Sequence, residues 1–133
     1  TCALPISKVH LIYRRPEYSE IARFESWFKT WPKTPFVLAR MGFDHSERAI
    51  DLAEKNENIY LETSWQPTET IAEAVRRIGA TRVLFGSDWP ILGNNQRVSL
   101  HRIRDAVASQ MFSEGDASKI LGENSLRLLE GKN

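Results

Sequence analysis

The sequence predicts an α/β fold built from four parallel strand–helix units, and three observations carry that reading. Strand-like and helix-like stretches alternate strictly along the chain. The strand regions around Val9, Phe36, Ile59 and Val83 recur at intervals of about 25 residues, the length of a strand plus a crossover helix. The run Val83-Leu84-Phe85 has no polar alternation, which suits a strand covered on both faces. Four such units make a small open sheet or half of an eight-stranded barrel. A closed barrel takes about 250 residues and this chain has 133, so an open sheet or an incomplete barrel with C-terminal helices is expected, as a single domain over residues 1–133.

Residues 6–13 form the first expected strand, rich in β-branched and aromatic side chains, and Arg14-Arg15-Pro16 breaks it. Across 17–31 the apolar positions Ile21, Phe24, Phe28 and Trp31 recur at helical spacing, which predicts an amphipathic helix. Pro32 and Pro35 bracket a turn. Residues 36–39 are the second strand, ending at Arg40-Met41-Gly42. Asp44 or Ser46 is expected to cap a helix running to about Glu57 with Ala49, Leu52 and Ala53 inward. Residues 59–63 are the third strand. Pro67 and Thr68 open a helix with Ile71, Ala74, Val75 and Ile78 on one face, and Gly79 stops it. After the fourth strand, Trp89-Pro90 turns the chain away, because proline cannot continue a central strand. A helix with Leu100, Ile103, Val107 and Met111 inward is expected next. Ser113 and Asp116 then have the spacing of a capping box, and a last helix, bent near Gly122, runs to about Glu130 with Gly131 as terminator.

Composition narrows the function classes. With 41% hydrophobic and 26% charged residues the chain is ordinary globular material. A formal net charge of +1 advertises neither nucleic acid nor an anionic membrane as partner. The one cysteine, Cys2, excludes an internal disulfide and fits a reducing cytoplasm. No run approaches the ~20 apolar residues of a spanning helix, and no signal peptide opens the chain. The start, Thr1-Cys2-Ala3-Leu4-Pro5, lacks an initiator methionine, which a fragment, a processed product or an engineered boundary would each explain.

In parallel strand–helix repeats all strand C-termini point one way, where α/β folds keep their chemistry. His10, Arg40, Glu62 with Thr63 and Ser64, and Asp88 are therefore expected along one rim, an arrangement suited to metal or acid–base chemistry. Structural roles compete at each position. Asp88 equally suits a turn cap, since aspartate accepts backbone N–H bonds there. His10 also reads as an ordinary strand histidine, and Arg40 as a salt-bridge partner of Glu62. Glu62 faces either the barrel or the helix layer, alternation fixing its side only relative to Tyr60 and Ser64. Trp65 and Trp89 follow strand ends, as pocket walls or as loop lids. His45 and His101 read as solvent-exposed, and Cys2 has no basic neighbour to activate it.

Four segments, 36–42 (FVLARMG), 58–65 (NIYLETSW), 79–90 (GATRVLFGSDWP) and 120–129 (ILGENSLRLL), together resemble the C-terminal half of amidohydrolase-related (amidohydrolase 2-type) metal-dependent hydrolases. The resemblance runs from about Leu4 onward. It implies a distorted TIM-like (β/α)8 barrel with one or two divalent metal ions, often zinc, at the strand C-termini. It implies that Asp88 binds metal and handles the proton of the attacking water, and that His10 is the metal-ligating histidine of the fifth strand. The family commonly has a histidine before Met-Gly, where this chain has Arg40. Arginine is always protonated and donor-only, so the resemblance leaves Arg40 to hold a substrate carboxylate or to mark lost metal chemistry. The family's first-strand His-x-His pair is absent from this sequence.

The resemblance therefore implies a metal-dependent hydrolase of an amide, ester or lactone bond in a small carboxylated molecule, with lyase chemistry also open. Asp88 and Arg40 are its expected catalytic residues, and Arg40, Glu62, Trp65 and Trp89 its expected substrate-binding ones. His10 and Asp88 are the expected metal ligands, below the three that catalytic zinc normally needs. The competing reading is a non-catalytic half-barrel that pairs with a second copy or with a complementing N-terminal half to cover its open edges. A flavodoxin-like open sheet ranks last, because Trp-Pro-Ile-Leu after Asp88 is a poor phosphate turn.

Overall fold

The computed structural model describes residues 4–6, 20–91 and 93–131. Four strands, β1 (Leu4–Ile6), β2 (Phe36–Leu38), β3 (Ile59–Glu62) and β4 (Val83–Leu84), pair in parallel in the order β1-β2-β3-β4. Phe36 sits opposite Leu4 and Ile59, and Leu61 opposite Leu38 and Val83. Sequential order without reversal is how a barrel wall winds, whereas a doubly wound sheet reverses at its switch point. The flavodoxin-like alternative loses its support here. The four strands are a partial α/β wall, with β1 and β4 each paired on one side among the described residues.

The two faces of the wall differ. Phe36, Leu38, Ile59, Leu61 and Val83 pack beneath the helices with Ala49, Ile50, Ala53, Ile71, Ala74 and Ile103. Those residues come from α2 (Ser46–Lys55), α3 (Thr68–Ile78) and α4 (Asn95–Ala108). Val37, Tyr60 and Leu84 face the other way and meet Leu128. Leu128 belongs to α6 (Asn124–Leu129), which follows α5 (Glu114–Ser118) through a π turn at Lys119–Glu123. The widened turn contains Gly122, the residue near which a bend was expected. Asn124 fixes this segment: buried, it donates from Nδ2 to the carbonyls of Ala80 at 2.7 Å and Val83 at 2.8 Å. Ser113 and Asp116 form the expected capping box, and Gly79 closes α3 with φ 78°. No helix among the described residues is long and apolar enough to cross a membrane.

Several expectations need correction. The first strand lies at Leu4–Ile6, so only Ile6 coincides with the stretch read as strand, and 7–13 lies outside the described residues. The helix expected over 17–31 is a 3₁₀ turn at Ile21–Phe24 and a short α1 (Glu25–Thr30), with 17–19 outside the description. Neither Asp44 nor Ser46 caps α2; His45 is the N-cap and makes no side-chain cap bond, because the chain enters from a left-handed turn. Met111 is exposed rather than inward. The helix ends at Ala108, Gln110 turns left-handed at φ 56°, and Phe112 takes the buried position.

Candidate functional site

Each of β2, β3 and β4 delivers polar groups at its C-terminal end, and three of them meet at one atom. The Arg40 guanidinium donates from Nη2 to Oδ2 of Asp88 and forms an ion pair with it. Trp65 donates from its indole Nε1 to the same oxygen at 2.7 Å. Asp88 Oδ1 has no partner among the described residues, and no buried side-chain oxygen there lacks one, so Oδ1 faces solvent. The Arg40 side chain is 8% exposed and that of Asp88 20%. The contact is held largely out of water, where charge-assisted bonds fix geometry most firmly.

A second layer, from the end of β3, holds the first. Glu62 accepts the backbone N–H of Arg40 at 2.9 Å on Oε2. Its Oε1 accepts the N–H of Ser64 at 2.6 Å and the Ser64 hydroxyl. Gln66, also buried, donates from Nε2 to the carbonyl of Arg40 at 2.6 Å and of Phe43 at 3.2 Å. Thr63 ties β3 to β4: its N–H reaches Leu84 O at 3.0 Å, and its hydroxyl accepts Gly86 N–H at 3.1 Å. Gly86 is needed for room. A Cβ added there would collide with the Glu62 carboxylate and lie 2.9 Å from its Cγ.

The backbone beneath these side chains is unusual. Arg40 (φ 56°), Trp65 (φ 65°) and Asp88 (φ 58°) are all left-handed, a conformation in which a side chain crowds its own backbone. Arg40 begins a run that continues through Met41, Gly42 and Phe43, all with positive φ. Gly42 is the member of that run packed tightly against Ile21.

Among the expected site residues, Arg40, Glu62, Trp65 and Asp88 are brought together, while His10 lies outside the described residues. The salt bridge suggested between Arg40 and Glu62 is corrected: the guanidinium pairs with Asp88, and Glu62 takes Arg40's backbone N–H instead. Trp65 is a hydrogen-bond donor in the cluster rather than a bare wall. Trp89 is 59% exposed on the turn beyond Asp88, with its N–H on Ser87 Oγ at 3.4 Å. Gln66 was missed, since a lone glutamine after a strand carries no sequence signal. A groove of about 430 Å³ lined by Glu25, Lys29, Arg48 and Asp51 shares no residue with this cluster.

The donor set of the described residues does not fit a metal ion. They hold no group of three His, Cys, Asp or Glu side chains able to share one. Both Glu62 oxygens already accept protein N–H or O–H donors, and Asp88 Oδ2 accepts two. Only Oδ1 remains, beside a fixed guanidinium.

Comparison with known proteins adds the following. The sequence profile of the amidohydrolase family matches residues 6–131. A gamma-resorcylate decarboxylase of Polaromonas sp. (strain JS666 / ATCC BAA-500) is 32% identical over 106 residues, covering 79% of this chain and 27% of that protein. A gamma-resorcylate decarboxylase of Rhizobium radiobacter is 33% identical over 124 residues, covering 77% of this chain and 36% of that protein. Another of that name, from Rhizobium sp. (strain MTP-10005), is also 33% identical over 124 residues, with the same coverage of 77% and 36%. The chain thus spans 27% to 36% of the length of the relatives it matches.

Proposed function

The chain belongs to the amidohydrolase family, and from that premise we propose that it carries the Asp88 side of a reaction mouth acting on a small carboxylated molecule. One observation carries the reading: three strand ends converge on a single carboxylate oxygen and leave the other open. Members of the family typically use a divalent metal ion. A zinc ion in this protein would take its ligands from outside the described residues.

Of the two chemistries open to it, hydrolysis of an amide, ester or lactone and lyase chemistry, the names of the relatives favour the second. A substrate such as γ-resorcylate loses CO2 when a proton arrives on the carbon bearing its carboxylate. The C–C electron pair then returns to the ring as CO2 departs. Asp88 Oδ1 takes this proton from solvent water and passes it to that carbon, while Arg40 and Trp65 lock the carboxylate through Oδ2. Glu62 acts on Arg40 through the backbone, and Trp89 stands at the rim as a cover for a bound ring. A reducing compartment such as the cytoplasm suits a chain with one cysteine.

The test is CO2 release from γ-resorcylate, followed by loss of substrate absorbance. Asp88→Asn is expected to lower turnover by about 10²-fold or more with an unchanged circular dichroism spectrum. Full turnover in that variant would overturn the assignment.

A non-catalytic half-barrel is the second reading, favoured by Leu126 and Leu129, which are 62% and 80% exposed on α6. A second copy of the chain, or a complementing N-terminal half, would cover them. Sedimentation equilibrium decides its homodimer form, which predicts self-association; a monomer at every concentration counts against it.

A further inference from the structure

The mouth carries two carboxylates, yet its described donor set does not fit a metal ion, and the reason is specific. We propose that Arg40 is a tethered counter-cation that closes Asp88 to divalent metal ions, so that any metal this protein carries is bound without Asp88.

Arginine keeps its charge at every physiological pH, so this partner does not switch off. Nor is it free to swing away. Its side chain is 8% exposed, its N–H is held by Glu62 at 2.9 Å, and its carbonyl is held by Gln66 at 2.6 Å. A metal ion on Asp88 Oδ2 would have to displace the guanidinium and the Trp65 indole together. On Oδ1 it would stand a few ångströms from a fixed positive charge. Even with the screening of bulk water, that repulsion of a doubly charged ion weakens binding by roughly tenfold. Glu62 offers no alternative, since both of its oxygens accept donors from Arg40 and Ser64.

The inference goes beyond the proposed reaction, and its test reads metal ions rather than turnover, so either can fail alone. Mn²⁺ or Zn²⁺ is titrated calorimetrically into the chain and three variants, with circular dichroism as the check on folding. Wild type and Asp88→Asn are expected to bind metal with the same affinity. Arg40→Gln, which keeps the length and removes the charge, is expected to bind about tenfold tighter, and Arg40→Gln with Asp88→Asn to lose that gain. Weaker binding by Asp88→Asn alone would overturn the proposal, because the carboxylate would then already be a ligand. A folded Arg40→Gln with unchanged affinity would overturn it as well. Should Arg40→Gln not fold, the comparison of wild type with Asp88→Asn still decides.

Discussion

Gly86→Ala places the whole second layer of the mouth under test with a single methyl group. The added Cβ collides with the Glu62 carboxylate, which must leave its position. Its departure strips acceptors from the Arg40 N–H at 2.9 Å, the Ser64 N–H at 2.6 Å and the Ser64 hydroxyl. Arg40 and Ser64 are buried, so each orphaned N–H costs about 1–3 kcal/mol. Lower chain entropy in the unfolded state returns about 0.4–1 kcal/mol. The net loss is about 1–5 kcal/mol, read as a drop of about 1–2 M in the midpoint of urea unfolding. The decisive assay is the double-mutant cycle with Glu62→Ala, which removes the obstructed group. In that background Gly86→Ala should be close to neutral. An equal loss in both backgrounds would refute the steric argument, as would an unchanged midpoint in the single variant.

Two further outcomes follow from the packing. Asn124→Ala removes the buried bonds to the carbonyls of Ala80 and Val83 and is expected to destabilise by about 2–3 kcal/mol in urea; a change within about 0.5 kcal/mol would mean that α6 is held without them. Arg77 bonds Asp51 at 2.6 Å and Glu54 at 2.5 Å, and these bonds hold both carboxyls below their ordinary values. Depressed values stabilise the fold above the unfolded range near pH 4 and cease to do so as pH falls through the folded values. The stability difference between wild type and Arg77→Gln should therefore shrink between pH 6 and pH 3, and a constant difference in pH-resolved urea melts would sink the linkage.

What the sequence made legible was whatever a local pattern enforces. The runs at Phe36 and Ile59 are apolar, short and flanked by turn residues, so β2 and β3 fall where expected. Pro67 and Gly79 bracket α3, and Ser113 with Asp116 announces α5, because each acts within a few residues of itself. Parallel strands share a direction, so the gathering of Arg40, Glu62 and Asp88 at one end followed from topology alone. The pairing inside that gathering did not. Glu62 and Asp88 were both in reach of Arg40, and its guanidinium took Asp88 while Glu62 took its backbone N–H, in a left-handed run from Arg40 to Phe43. Gly42 is the only glycine in that run, so nothing in the sequence warned that the other three would adopt it. The start of the first strand was misplaced for the opposite reason: pairing with β2 begins at Leu4, ahead of the expected Ile6, and propensity does not choose register.

The left-handed backbone also bears on the two readings of the mouth. A side chain with positive φ costs about 1 kcal/mol or more relative to glycine, and Arg40, Trp65 and Asp88 each carry that cost. Glycine would relieve the strain at each position and would forfeit the contact the side chain makes. An exposed ion pair returns at most about 1 kcal/mol, and a partly buried one must first recover its desolvation, so fold stability alone is a weak reason to keep all three. Such conformations persist where neighbours over-determine them, and Gln66, Glu62, Ser64 and Thr63 do so here with buried or partly buried bonds. A scaffold strained at the three residues whose side chains meet, and braced behind them, favours a mouth built to hold Asp88 in one orientation over a relic of one.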